Sequence, residues 1–596
     1  MRGTGDTIVN NGMTLSGGNV KYIGRRIENN STTALTGGSI QLETGGIFDN
    51  ETGGTFDIQG DLTLAYNSGS PQVYNKGALI KSAGTGSAHI GHTILFVNTG
   101  SVDVQVGTLE IRGMDATHSG SFDCSGATLD WWDNAHTLEA TSSVTGTEVL
   151  FTGADVTVLG AYDVDATTIN SNYSTVTFDS APTMNTLDLL AGILTGTADI
   201  APSGLITWNA GYMEGTGSTI VNGNMTLPSN TSYLDRHLVN NSAIVYSGGG
   251  LQFRGNAVFD NEMGGTFDIQ GDLHIYWGGG SPQINNKGLF LRSAGGGRST
   301  VGGTNILFAN TGNVEVRSGY LDLSATYTQT GGATILNGGD IQRWPLRIDG
   351  GKLQGTGTVI GDLQISGGAT SPGLSAGTIT ITESYVQNAA GSYTVEIGGL
   401  TPGTDHDQVN LSGTDGVTLD GTLDVSLIGG FIPTDGDSFT IMTFPSRTGT
   451  FITHNLPYPG TDFDWQVEYT GTAVILHVLA SSAGRIPPTI QVDKSAITPG
   501  DLTITWEPSC SVGGIDARIY EGTIGSWYSH QAIVCNDTGL DFTEEVTPSG
   551  DNMYYLVVPL SATAEGSYGF DSAPGERPTG GSGSCPAITQ DFDPCP

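Results

Sequence analysis

One near-exact internal duplication constrains this chain more than any other feature. Phe48 to Leu62 reads FDNETGGTFDIQGDL and Phe259 to Leu273 reads FDNEMGGTFDIQGDL, so the segments differ only at Thr52 against Met263, at an offset of 211. The match runs on through Ser70-Pro71 with Ser281-Pro282, Asn75-Lys76-Gly77 with Asn286-Lys287-Gly288, and Ile94-Leu95-Phe96 with Ile306-Leu307-Phe308. A Gly-Thr-Gly opener stands at Gly3, Gly215 and Gly355. Duplicates of this length mark a repeat architecture, in which each unit buries its apolar face against its neighbours.

A shorter period lies inside each unit. An apolar residue closely followed by Asn recurs at Asn10, Asn29, Asn50, Asn75 and Asn98, and again at Asn222, Asn240, Asn261, Asn286 and Asn310. The two series agree to within one residue at every step, and the period suits one coil of a β-solenoid. Asn tolerates left-handed backbone, so these positions are expected where each coil turns. Between them apolar and polar residues alternate, as in Phe56-Asp57-Ile58-Gln59, which predicts short half-buried strands. No stretch keeps a 3.6-residue period. The expected fold is all-β: a right-handed parallel β-helix followed by a small β-sandwich.

Composition agrees with many turns. Gly contributes 91 of 596 residues, and charged residues make up only 13%. The net charge of −38 makes nucleic acid a poor partner, because phosphate binding needs clustered Lys and Arg. No apolar run reaches the 18 or so residues of a spanning helix, so membrane insertion is not expected. The first residues lack an apolar signal core, so the chain reads as a mature form or a fragment.

Two stretches carry a family resemblance: GGKLQGTGTVIGDLQISGGATSPGLSAGTITI (Gly350 to Ile381) and TDHDQVNLSGTDGVTLDGTLDVSLIGGFIPTDGDSFTIMTF (Thr404 to Phe444). They resemble the endings of large bacterial surface β-solenoids of the filamentous-haemagglutinin and autotransporter-passenger type. Further on, Leu502 to Trp506, Ala517 to Gly522 and Met553 to Val558 resemble strands of a fibronectin type III-like sandwich. The implied organisation is a duplicated solenoid over 1–354 (units 3–214 and 215–354), terminal coils and a cap over 355–480, and a linker over 481–489. The sandwich spans 490–578 and a Gly/Ser/Pro-rich tail 579–596. Cys510 and Cys535 are expected to form a disulfide in that sandwich, and Cys585 and Cys595 a second one in the tail. Cys124 is expected to be a buried small hydrophobe.

Chemistry-bearing groups are sparse. Asp405-His406-Asp407 is the nearest approach to a catalytic carboxylate pair, and it reads better as a turn or solvated strand. Asp57, Asp61, Asp268 and Asp272 recur at equivalent positions, and Ca²⁺ is the ion such oxygens would take. The calcium-solenoid repeat pattern is absent, so solvent-facing positions explain them better. His89, His92 and His118 have no His counterparts in the second unit. Trp131-Trp132, Tyr276-Trp277 and Trp527-Tyr528 suit sugar stacking, or else cover coil ends and the sandwich core. The expected function is a non-enzymatic extracellular or bacterial cell-surface protein, an elongated adhesive rod or filament subunit without a cofactor. Its expected partners are further copies, joined head to tail, and glycans or other cell-surface components. A carbohydrate-active β-helix enzyme and a pure glycan-binding module are the competing classes.

Overall fold

In the computed structural model the alternating segments are strands, and no helix occurs among the described residues. Those residues are 1–459, 463–480, 483–487, 489–511, 514, 516–537, 541–561, 564–570, 576–583 and 585–590. Two compact units divide the chain: Met1–Ser371 with Ile379–Ser392, and Pro372–Thr378 with Tyr393–Pro596.

The first unit is a parallel β-solenoid with three strands per coil. Ile47–Asn50, Thr55–Gln59 and Thr63–Tyr66 make one coil. They pair in parallel with Gln72–Asn75, Ala78–Ala83 and Ser87–Ile90 of the next. Period-2 alternation sends Phe56 and Ile58 inward, where both are fully buried. In-register stacking then builds apolar columns such as Phe56, Leu79, Val102, Phe122 and Val144. Burying each of these side chains contributes roughly 1.5–3 kcal/mol. Glycine is required where coils touch: a Cβ on Gly77 would lie 2.2 Å from the Gly54 carbonyl oxygen, and one on Gly100 2.1 Å from that of Gly77.

The asparagines hold the coils together from inside. Asn29, Asn50, Asn75 and Asn98 are buried, and the side-chain amides of the first three each donate to the next side-chain oxygen at 2.7 Å. All four donate to a backbone carbonyl, those of Thr55, Ala78, Ser101 and Ser121 in turn. Asn240, Asn261, Asn286 and Asn310 repeat the ladder at the same 2.7 Å spacing, and Asn310 lies a longer 3.5 Å from Gln329 Oε1, the last member. This corrects the expectation of left-handed turn residues. Among the described residues positive φ outside glycine occurs at Thr93, Asn134, Tyr528 and Phe542, and at none of the ladder positions. Asn10 and Asn222 lie outside the ladder, exposed, each accepting from the neighbouring coil's Asn30 or Asn241.

The duplicated units do not lie on the same sides of the solenoid. Phe56 follows the first ladder, yet its counterpart Phe267 stacks on a different column. That column runs Ala88, Leu109, Leu129, Val149, Thr167, Leu187, Ile206, Met225, Ile244, Phe267. Ala88 belongs to the third strand of its coil, so the second copy is displaced by one side. The intervening coils cause this. There Ser121–Trp131, Ser143–Phe151, Ala161–Ile169 and Thr183–Leu189 run continuously through a corner.

In the second unit, parallel coils continue to Thr453–Asn455. They give way to an antiparallel layer in which Ala473–Ala480 pairs with both Ser438–Thr443 and Phe463–Tyr469. Beyond it two sheets form a small sandwich. One contains Gln491–Lys494, Leu502–Thr505 and Thr543–Val546; the other is built on Asp516–Thr523 and Met553–Leu560. Ile504, Trp506, Val546, Ile519 and Val557 share the core between them. One disulfide joins Cys535 to Cys585, so the expected Cys510–Cys535 and Cys585–Cys595 pairs do not form. Gln531–Val534 sits beside the Asp516–Thr523 strand, and its end brings Cys535 against the core that holds Cys585. Cys510 is also disulfide-bonded, and Cys595 lies outside the described residues.

Candidate functional site

Several groups singled out in the sequence have internal structural roles. Asp61 receives the buried Lys81 ammonium at 3.3 Å and the Gly86 amide at 3.0 Å, and Lys81 also donates to the Ala83 and Gly84 carbonyls. At the equivalent place in the second copy, Asp272 receives Arg292 at 2.9 Å and the Gly297 amide at 2.9 Å. The Arg292 guanidinium beside it holds the Asp272 carboxyl below its ordinary range. Each turn therefore pairs its carboxylate with a cation from its own chain. Among the described residues no three His, Cys, Asp or Glu side chains converge as a metal would need. Replacing Lys81 by Met is expected to weaken residues 78–90 by about 1–2 kcal/mol, because the half-buried Ala83 and Gly84 carbonyls lose their donor. Hydrogen exchange in those strands measures it, with added Ca²⁺ leaving the wild-type rates unchanged.

Asp405, His406 and Asp407 do not converge. Asp405 accepts the Thr401 amide in a tight turn. Asp407 is buried and accepts the Gly377 and Glu396 amides, each at 2.9 Å. Burial pushes its carboxyl up to about 7 against the pull of those two donors. His406 is buried with Nδ1 against the Gly399 carbonyl. Asp57 accepts from Gln59 and Ser82, and Asp268 from Gln270. Cys124 is free and buried, and burial pushes its thiol up to about 11. Trp131 is core, whereas Tyr276, Trp277, Trp527 and Tyr528 are exposed.

His118 completes the first asparagine ladder. Its Nδ1 accepts the Asn98 backbone N–H at 3.1 Å, which leaves Nε2–H to donate to His136 Nδ1, also at 3.1 Å. His136 Nε2–H in turn donates to the Asp133 carbonyl. Both rings are therefore neutral, and burial pushes His118 down to about 3 and His136 down to about 4.

The remaining groups do come together, on one face of the first copy. Register places His89, Glu110 and Asp130 on successive coils, all pointing outward. Arg112 Nε donates to Glu110 at 2.7 Å, and the guanidinium lies over the Trp132 ring, 4.1 Å from its centroid. Asp130 accepts from Thr152 at 2.7 Å and is also bonded by Trp132. Burial pushes Asp130 up to about 6, with the Glu110 charge adding to the rise. Beside this network His92 Nδ1 lies 2.5 Å from Asp133. A surface hollow of about 300 Å³ opens here, lined by Thr63, Tyr66, His89, His92 and Thr93. Glu110, Arg112, Asp130 and Asp133 carry no sequence motif. Their signal is the coil spacing itself, which sets His89, Glu110 and Asp130 at 21 and 20 residues apart.

No protein-family model matches the chain, and no curated protein is similar to it at a significant level.

Proposed function

We propose that the chain is a non-enzymatic adhesive protein of the extracellular or bacterial surface, contacting its target through the face around His92. One observation carries this. Glu110 and Asp130 are capped by Arg112 and Trp132 and are less than a tenth exposed, whereas the rim of the hollow presents Tyr66 and His92 to solvent. Contact groups are thus open while the carboxylate pair is closed. The Cys535–Cys585 disulfide supports an oxidising compartment. The net charge of −38 suits a long repeat protein that must stay soluble. On this proposal the solenoid is an adhesin stalk and the C-terminal sandwich a fibronectin type III-like module.

Beads coated with the full chain should attach under flow to cell surfaces or extracellular matrix and not to blocked glass; equal retention on both would refute adhesion. A second class has one observation in its favour: Asp130 is held near 6 beside Glu110, a setting suited to acid–base work. New reducing ends or unsaturated uronates released from polysaccharides, and lost in Asp130→Asn, would establish that enzyme and displace the adhesive proposal.

A further inference from the structure

We propose that the hollow bordered by Tyr66, His89, His92 and Thr93 is a binding site for one neutral sugar unit of a glycan. This rests on the adhesive function proposed above and names its target.

The molecule contains its own control, because the second copy keeps the coil and lacks the site. His89 and His92 are replaced there by Thr300 and Gly303, and Glu110 and Arg112 by Asp322 and Ser324. The turn is also one residue shorter in the first copy, which has no counterpart of Asn305. In the longer turn Gly303 takes positive φ, at 99°. In the shorter one the left-handed position falls on Thr93, at φ 65°. A β-branched residue there is strained, and such strain persists where the surroundings impose it, commonly at binding sites.

The hollow exists because small residues floor it. A Cβ on Gly91 would meet the Leu64 carbonyl oxygen at 2.9 Å, and Ala65 adds only a methyl. At about 300 Å³ it stands at the small end of the range for ligand sites, the scale of a single sugar unit. Its groups match a sugar's two kinds of surface. The Tyr66 ring is 42% exposed and offers an apolar face for C–H groups. The Thr63 and Thr93 hydroxyls and the imidazoles of His89 and His92 offer donors and acceptors for ring hydroxyls. Asp133 fixes the His92 ring. The charge of −38 sets the class of ligand: a polyanionic glycan approaches against long-range repulsion, and a neutral one does not.

The test is binding of the full chain to a panel of immobilised neutral oligosaccharides, beside uronate-bearing and sulfated ones and Zn²⁺ alone. Neutral members should bind, and Tyr66→Ala and His92→Gly should each weaken binding at least tenfold. Tyr66→Trp, the residue of the second copy, should retain binding, and Trp277→Ala should leave it unchanged. All three positions are on the surface, and unchanged thermal melting confirms folding. Binding confined to acidic glycans or Zn²⁺, binding indifferent to Tyr66 and His92, or no binding to the panel would each overturn the site. Bead attachment that persists in His92→Gly would refute the site and leave adhesion standing. Neutral-glycan binding without bead attachment would do the reverse.

Discussion

Replacing Asn75 by Asp is expected to open the first solenoid coils, at a cost of more than about 4 kcal/mol. The Asn75 amide is a double donor, to Asn98 Oδ1 at 2.7 Å and to the Ser101 carbonyl at 2.8 Å, while its oxygen accepts from Asn50. A carboxylate keeps the acceptor and loses both donors. It also places a charge against two oxygens in a site that is 1% exposed. Asn75→Ala should cost less, roughly 2–3 kcal/mol, because it leaves Asn98 and Ser101 short of a donor without burying charge. Asn286 occupies the same place in the second copy, with bonds to Asn310 and Asn313. Asn286→Asp should therefore reproduce the loss, but in the strands around 283–316. Site-resolved hydrogen exchange separates the two outcomes; protection unchanged around residues 72–104 in Asn75→Asp would show that the ladder does not hold the coils.

Acid is expected to loosen the coils around His118 and His136. Both folded values lie below the ordinary 6.5, at about 3 and about 4. The unfolded segment therefore binds more protons than the folded one below pH 6.5, and stability falls as pH falls. Each histidine costs about 1.4 kcal/mol per pH unit in that window, so the pair costs on the order of 5 kcal/mol between pH 6.5 and 4.5. Asp130 acts in the opposite sense. Its folded value, raised to about 6, makes acidification favourable between pH 6 and about 4 and offsets part of the loss. A comparison of variants isolates the histidines. The second copy has Gln329 and Leu346 where the first has His118 and His136. There Gln329 is satisfied by Tyr327, Thr334 and the Lys352 carbonyl. His118→Gln/His136→Leu should flatten the pH dependence of hydrogen exchange across residues 95–140. An equally steep dependence in the double variant would exclude the pair as its source.

The sequence was most legible where one residue type answers one local need. Alternation of Phe56-Asp57-Ile58-Gln59 predicts a half-buried strand, and Asn at matched intervals predicts coils of matching length. The role of those asparagines was not legible. A turn residue and a ladder residue share the same spacing, and only the packed coils show that side chains 21 to 25 positions apart bond one another. Asp61 and Asp272 were ambiguous for a similar reason. A repeated carboxylate suits calcium, and only the packed coils show that it pairs with Lys81 or Arg292, 20 positions on. The cysteine pairing failed because sequence separation says little about distance in a sandwich. Cys535 and Cys585 are 50 residues apart, yet they meet in one core.

By itself, then, the sequence determined the strand repeat, the duplication and the all-β class, since these follow from local periodicity and side-chain size. Tertiary structure decided which outward residues share a face. His89, Glu110 and Asp130 become neighbours through parallel register, and the two copies face different sides because the coils between them cut through a corner. The physical reason is that a solenoid turns residues one coil apart in sequence into contacts at strand spacing. A change of a residue or two in coil length then moves a side chain to another column without altering the pattern that makes the strand.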